Sequence, residues 1–474
     1  MSDNFDARGD LAPAETFDTP SVEAPLAPNG FARLGLAPEL MKAIEDLGFT
    51  QPTTVQDATI PLALPADDDA AACIDLMVSS QTGSGKTAAF LLPVLHTLLK
   101  QAPAKGAPHP ARAGKRRFEA AAPQALVLCP TRELAQQVAS DAIDLVRHCR
   151  GLRIANIVGG MPYQLQIARL ANANLVVATP GRLLDLQRSG QIRLDEVQFL
   201  VVDEADRMLD LGFADDLAEV NKLTITRRQT MMFSATLAPR IQQLATRVMR
   251  EPRKIQVDSP QERHVNIKQV LFWADSAQHK RKLLDHWLRD STINQAIVFA
   301  STQVECDALA GDLQQAGFDA VALHGALNQG LRNRRLNALR NGQVQILVAT
   351  DVAARGLDVP TITHVFNFGL PMKAEDYTHR IGRTGRAGRD GLAVTFAEGR
   401  DRRRVFEIES FTKQPFKAEV IPGLEPQQRA PRGDFKPAGR RPGGGGFDAR
   451  RGNGGGFARK SGWGETKTKG FRPR

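Results

Sequence analysis

From Phe31 onward the chain alternates short apolar runs with amphipathic stretches. Residues 125–129, 175–178, 199–202 and 230–233 are almost wholly apolar. Runs of that length without a polar alternation fit strands covered on both faces, the habit of parallel sheets. Stretches with helical spacing separate them, so residues 30–255 predict a doubly wound α/β domain. A second series, 295–300, 320–323, 345–349, 364–368 and 391–396, is separated by patterns such as the helical 303–316, and predicts a second α/β domain over 262–424. The join is expected within 251–266, where Pro252, Pro260 and a polar stretch break the pattern.

The ends do not share this pattern. Residues 1–29 are rich in Pro, Ala, Asp and Glu without an apolar period, which predicts a disordered leader. Residues 425–474 are Gly/Arg-rich and of low complexity, a second disordered segment by composition. The whole formal charge of +10 resides there: from Gln427 to Arg474 there are thirteen Lys/Arg against three Asp/Glu, and the rest of the chain balances. Phe435, Phe447, Phe457, Trp463 and Phe471 lie among those cations, a mixture that stacks on bases and neutralises phosphates without reading a sequence. The tail is therefore expected to be an extra RNA contact. Two further stretches, 65–72 and the basic 101–117, read as surface insertions, for which an idle solvated loop is the plainer interpretation.

The four cysteines, Cys73, Cys129, Cys149 and Cys306, are too scattered for a zinc site or a disulfide framework. No apolar run approaches the roughly 20 residues that span a bilayer, and no signal-peptide pattern opens the chain. A cytoplasmic protein, monomeric and away from membranes, is the expectation.

Chemistry enters at Ser80-Gln81-Thr82-Gly83-Ser84-Gly85-Lys86-Thr87, which follows the strand-like 75–79 and opens an apolar helical stretch, 88–99. In that context the glycines let backbone N–H groups turn toward phosphate and the helix N-terminus favours an anion. Lys86 would reach the outer phosphates, and the Thr87 hydroxyl would bind Mg²⁺. An apolar strand then ends in Asp203-Glu204-Ala205-Asp206. Acidic residues at a strand end are usually a solvated turn. Paired with Lys86 in one parallel sheet, however, Asp203 is placed to hold Mg²⁺ through water and Glu204 to deprotonate an attacking water. In the second domain, His379-Arg380-Ile381-Gly382-Arg383-Thr384-Gly385-Arg386 sets cations three apart among glycines. Arg383 and Arg386 would neutralise charge on a γ-phosphate, which makes hydrolysis depend on domain closure.

With these motifs in this order, residues 31–398 resemble the DEAD-box RNA helicases, bacterial in wording and similar to the RhlE-like subgroup. The resemblance implies two tandem RecA-like domains with parallel sheets, and ATP with Mg²⁺ as the ligands. It implies that Phe31, Phe49 and Gln56 form the adenine-sensing element and that Asp358 faces the ribose. Ser234 and Thr236 would couple hydrolysis to unwinding through Asp206 and His379. Thr131, Arg132, Gly160, Thr179, Pro180 and Arg182 would grip RNA from the first domain, and Thr302, Gly325, Gln329, Arg332 and Thr350 from the second. Departures are small: Val55 stands where Ile is commoner, and Ser301 where Asn is frequent. The resemblance implies an RNA-dependent ATPase that unwinds or remodels structured RNA, with ribosome-assembly or RNA-decay proteins as partners. A DNA translocase and an ATP-independent RNA chaperone or clamp are the alternatives from other classes.

Overall fold

The computed structural model describes residues 29–64, 73–80, 83–101, 120–257 and 266–427, apart from 355, 356, 358, 360 and 386–388. Residues 1–28 of the leader, the insertions 65–72 and 102–117, almost all of the tail, and the site candidates Gln81, Thr82, Asp358 and Arg386 lie outside the described residues.

The first sheet is built from β1 (Leu76–Ser79), β2 (Ala125–Leu128), β3 (Ile154–Ile157), β4 (Leu175–Ala178), β5 (Phe199–Val202), β6 (Gln229–Ser234) and β7 (Arg253–Gln256). The second is built from β8 (Ile267–Ala274), β9 (Gln295–Phe299), β10 (Ala320–Leu323), β11 (Ile346–Ala349), β12 (Ile362–Asn367), β13 (Gly391–Glu398) and β14 (Ala418–Glu419). Strand order is β3-β4-β2-β5-β6-β1-β7 in one and β10-β11-β9-β12-β13-β8-β14 in the other. Counting each sheet from its own first strand, the two orders are identical, and every pairing is parallel. The chain thus repeats one RecA-like topology, and each loop at a strand's C-terminal end has a counterpart in the other domain.

The apolar runs build two-faced strands. In the first sheet Val78, Val127, Val177, Val201 and Phe233 pack on one face, and Met77, Leu126, Val176, Leu200 and Met232 on the other. Fully burying each such side chain contributes about 1.5–3 kcal/mol. Both faces need helices over them, so the crossovers are helical and the loops emerge together at the strands' C-terminal edge, the usual binding edge of such a sheet. Among the described residues no helix is long and apolar enough to cross a membrane.

Candidate nucleotide and RNA sites

β1 ends at Ser79, and the helix Lys86–Gln101 starts after a loop in which Gly83 and Gly85 have φ of +82° and +92°. Gly85 is fixed twice over: a Cβ there would also lie 2.6 Å from Gln56 Nε2 and 2.9 Å from Thr53 Oγ1. Gln56 is what brings that close approach about. Its Oε1 accepts from Thr53 N at 2.9 Å, closing a capping box, while its Nε2 donates to Gly85 O at 3.1 Å. The expected adenine reader thus also braces the phosphate loop. Phe49 is 42% exposed and Phe31 is buried; both line the same cleft, with Phe49 the ring free to stack.

That cleft has a volume of 590 Å³, and Lys86, Thr87, Asp203, Glu204 and Arg383 line it together. Lys86 Nζ donates to Ser80 O at 2.7 Å, and burial lowers its pKa while Asp203, Glu204 and Asp206 oppose the shift. Burial and then Glu204 push Asp203 up to about 7, with Lys86 opposing; burial likewise raises Asp206. Glu204 sits in the left-handed region at φ +48°, ψ +54°. Strain of about 1–3 kcal/mol at a non-glycine position is tolerated where function fixes the backbone. Among the described residues its buried Oε2 has no hydrogen-bond partner; Arg207 Nε lies 3.4 Å away.

This arrangement fits Mg²⁺. Three buried carboxylates share two buried cations, Lys86 and Arg207, and the excess of negative charge is one that a divalent cation would balance. Among the described residues no three His, Cys, Asp or Glu side chains form a metal cage. Mg²⁺ shared with phosphates needs only one or two protein ligands, and Asp203 and Thr87 are available.

From the second domain, Arg383 is buried, donates to Leu357 O at 2.6 Å and His379 O at 3.1 Å, and reaches this cleft. Asp206 Oδ2 accepts from the backbone amide of Ala235 at 3.2 Å and lies 4.0 Å from His379 Nε2. The contact between Asp206 and the 234–236 segment is therefore made by a backbone N–H. Ser234 Oγ instead accepts from Thr236 N at 3.3 Å, and Ser234 O accepts from Ser80 N at 3.2 Å, tying β6 to the phosphate loop.

The expected RNA residues occupy the other half of each sheet, after β2, β3 and β4 and after their counterparts β9, β10 and β11. Thr131 and Thr302 are counterparts, each an N-cap accepting from the third helical amide, at 3.3 and 3.1 Å. Thr179 caps the helix Pro180–Arg188, and Thr350 precedes Asp351–Ala354. Backbone N–H groups at such ends suit phosphate. Arg182 donates to Met161 O at 3.2 Å. Arg132 Nη1 donates to Gln329 Oε1 at 2.9 Å, beside Gly160, and Arg332 Nη1 donates to His324 O at 3.0 Å, next to Gly325.

Several residues here were not singled out from sequence. Glu133 accepts from Gln329 and Arg332; a carboxylate inside a phosphate-gripping motif was the available signal. Arg207 and Asp376 approach to 4.0 Å. Arg380 makes a two-pronged pair with Asp351 and lies over the Phe299 ring at 4.8 Å. That gives this motif arginine a framework role distinct from Arg383.

Residues 53–244 match the DEAD/DEAH box helicase family model, and 279–388 match the helicase conserved C-terminal domain. The chain is 40% identical over 403 residues to the ATP-dependent RNA helicase SrmB of Escherichia coli, covering 85% of this chain and 86% of that one. It is 39% identical over 407 residues to the DEAD-box ATP-dependent RNA helicase CshA of Geobacillus kaustophilus, covering 84% and 81%. Among solved structures, Dbp5 of S. cerevisiae bound to RNA and ADP BeF3 superposes with a TM-score of 0.71 at 31% identity, covering 83% of this chain and 95% of that one. The chain belongs to the DEAD-box family of RNA helicases.

Proposed function

We propose that this protein is an ATP-dependent RNA helicase: it hydrolyses ATP when RNA is bound and locally separates or remodels structured RNA or RNA–protein complexes. The observation that carries this reading is the shared cleft, in which Arg383 of one domain meets Lys86, Thr87, Asp203 and Glu204 of the other. Such a site is complete only when the domains are together, so hydrolysis is tied to closure.

Each residue then has a task. Ser80 anchors the loop to β6, Lys86 and the amides of Gln81, Thr82, Gly83, Ser84 and Gly85 would hold the phosphates, and Gln56 with Phe49 selects the base. Mg²⁺, held by Thr87 and Asp203, would neutralise phosphate oxygens. Glu204 takes the proton of the attacking water, and Arg383 with Arg386 offsets charge building on the transferred phosphoryl group. The left-handed turn at Glu204 starts the helix that carries Asp206, so the catalytic carboxylate and the coupling carboxylate move as a unit. By the family resemblance Asp358, outside the described residues, would serve the ribose.

On the opposite half of the two sheets, Thr131, Arg132, Gly160, Thr179, Pro180, Arg182, Thr302, Gly325, Gln329, Arg332 and Thr350 contact the RNA backbone. Contacts of that kind position without reading sequence, and 2′-hydroxyl contacts would favour RNA over DNA. The basic tail adds affinity. A cytoplasmic monomer of the RhlE-like subgroup, working with ribosome-assembly or RNA-decay proteins, completes the reading.

Strand displacement tests it. A short RNA duplex beside a single-stranded RNA tail should be separated with ATP and not without it. Separation independent of ATP would favour a chaperone or clamp, and equal activity on DNA would favour a translocase.

A further inference from the structure

A second set of charges crosses between the domains without lining the nucleotide cleft. The helix Ala205–Asp210 begins at Glu204, and the helix Ala374–Ile381 leads to Arg383. Charged pairs join them in opposite chain directions: Asp206 with His379 at 4.0 Å, Arg207 with Asp376 at 4.0 Å, and Asp210 with Lys373 at 2.6 Å. At Arg207 and Asp376 plus meets minus, and at Asp210 and Lys373 minus meets plus. A slip of one turn one way would set Asp210 against Asp376, and one turn the other way Arg207 against Lys373, so like charges oppose either slip.

The outer end of this zipper is reinforced. Arg240 lies on the helix Pro239–Val248, which follows Ser234 and Thr236. Its Nη1 donates to Asp210 Oδ1 at 2.6 Å and its Nη2 to Glu375 Oε2 at 2.7 Å. Although burial opposes it, hydrogen bonding from Lys373 and the charge of Arg240 hold the Asp210 carboxyl below its ordinary pKa. Asp210, Arg240, Lys373 and Glu375 therefore tie together the helix after the DEAD strand, the helix after β6, and the helix before Arg383.

We infer that these four side chains are positioning residues that form a closure latch: they stabilise the closed pair of domains and set the register in which Arg383 meets Glu204. The inference rests on the functional reading above and deepens it. If ATP and RNA both bind better to the closed form, weakening closure lowers the apparent affinity for both by one common factor. A residue touching a single ligand would shift only that ligand. A purely structural residue would lower the active fraction and leave both half-saturation points in place.

The test uses the full chain with Arg240→Ala, Glu375→Ala, the double variant and Glu375→Asp, titrating RNA at saturating ATP and ATP at saturating RNA. Each alanine variant should raise both half-saturating concentrations by a similar factor, about five-fold for a half-buried charge pair. The double variant should be no worse than Arg240→Ala alone, because the two remove one shared contact, and Glu375→Asp should restore most of the loss. Unmoved half-saturation points, a shift for one ligand alone, or additive losses in the double variant would overturn the latch while RNA-stimulated turnover by the unmodified protein upheld the functional reading. No stimulated turnover by the unmodified protein would overturn both.

Discussion

Glu133 Oε1 accepts from Arg332 Nε at 2.9 Å and lies 2.8 Å from Arg332 Nη2, a buried pair that joins the first domain to the second. The same oxygen accepts from Gln329 Nε2 at 3.2 Å, and Gln329 in turn accepts from Arg132. Three side chains proposed as RNA ligands are thus oriented by one carboxylate at the domain boundary. This links the RNA face to closure without passing through the nucleotide cleft.

Removing that carboxylate leaves Arg332 buried without its counter-charge, a costly change. Since opening the domains returns Arg332 to water, the cost falls on the closed form. Glu133→Ala is expected to weaken closure by about 2 kcal/mol, roughly thirty-fold in the RNA concentration for half-maximal ATP turnover. An RNA titration of turnover measures it directly.

Gly160 has φ +78°, and a Cβ there would lie 2.5 Å from Arg132 Nη1 and 3.2 Å from Gln329 Cβ. Gly160→Ala therefore combines backbone strain of about 1–2 kcal/mol with displacement of Arg132. Thermal melting should fall by a few degrees, and RNA-stimulated turnover should fall more than melting alone explains. Equal effects on both would mean that only the strain matters.

The contribution of the buried histidines to folding stability should weaken in mild acid. His96 Nδ1 accepts from Ala37 N at 3.0 Å, so the ring must stay unprotonated there. Burial, helped by Lys100, lowers its pKa from 6.5, and burial lowers His364 likewise. A folded pKa below the unfolded one means that the contribution is whole above the unfolded value and is lost as pH falls through the folded one. Asp203, pushed up to about 7, gains stability by protonation over the same range, so the comparison isolates the histidine: between pH 7.5 and 5.5 the melting temperature of His96→Asn, whose Oδ1 can still accept from Ala37, should change more favourably than that of the unmodified protein.

Much of the fold was legible as apolar runs. The stretch 320–323 is β10 to the residue, and 125–129 contains all of β2. β3 and β7 were not legible. β3 alternates half-buried and buried positions, and β7 exposes three of its four residues, so neither carries the all-apolar mark of a central strand. The charged catalytic groups were legible because phosphate and metal chemistry demands particular residue types at fixed spacing. The contacts across the domain gap were not. Glu133, Arg207 and Arg240 meet residues roughly 135–200 positions away, and one sequence does not announce such pairs.

The tail makes a separable contribution. Deleting residues 427–474 removes the chain's whole positive excess, and each cation–phosphate pair removed lowers the salt sensitivity of binding by about one counterion. The truncated protein is expected to need more RNA for half-maximal turnover, to depend less steeply on salt, and to keep its RNA-independent hydrolysis. A salt series of RNA titrations on both proteins would show it.

The most direct test of the central claim is ATP turnover by the unmodified protein and by Glu204→Gln, with no nucleic acid, with single-stranded RNA and with DNA of matched sequence. The account predicts strong stimulation by RNA, little by DNA, and a loss of at least about a hundred-fold in the variant, the scale on which a positioned general base acts. Equal stimulation by both nucleic acids, or undiminished turnover by Glu204→Gln, would contradict it.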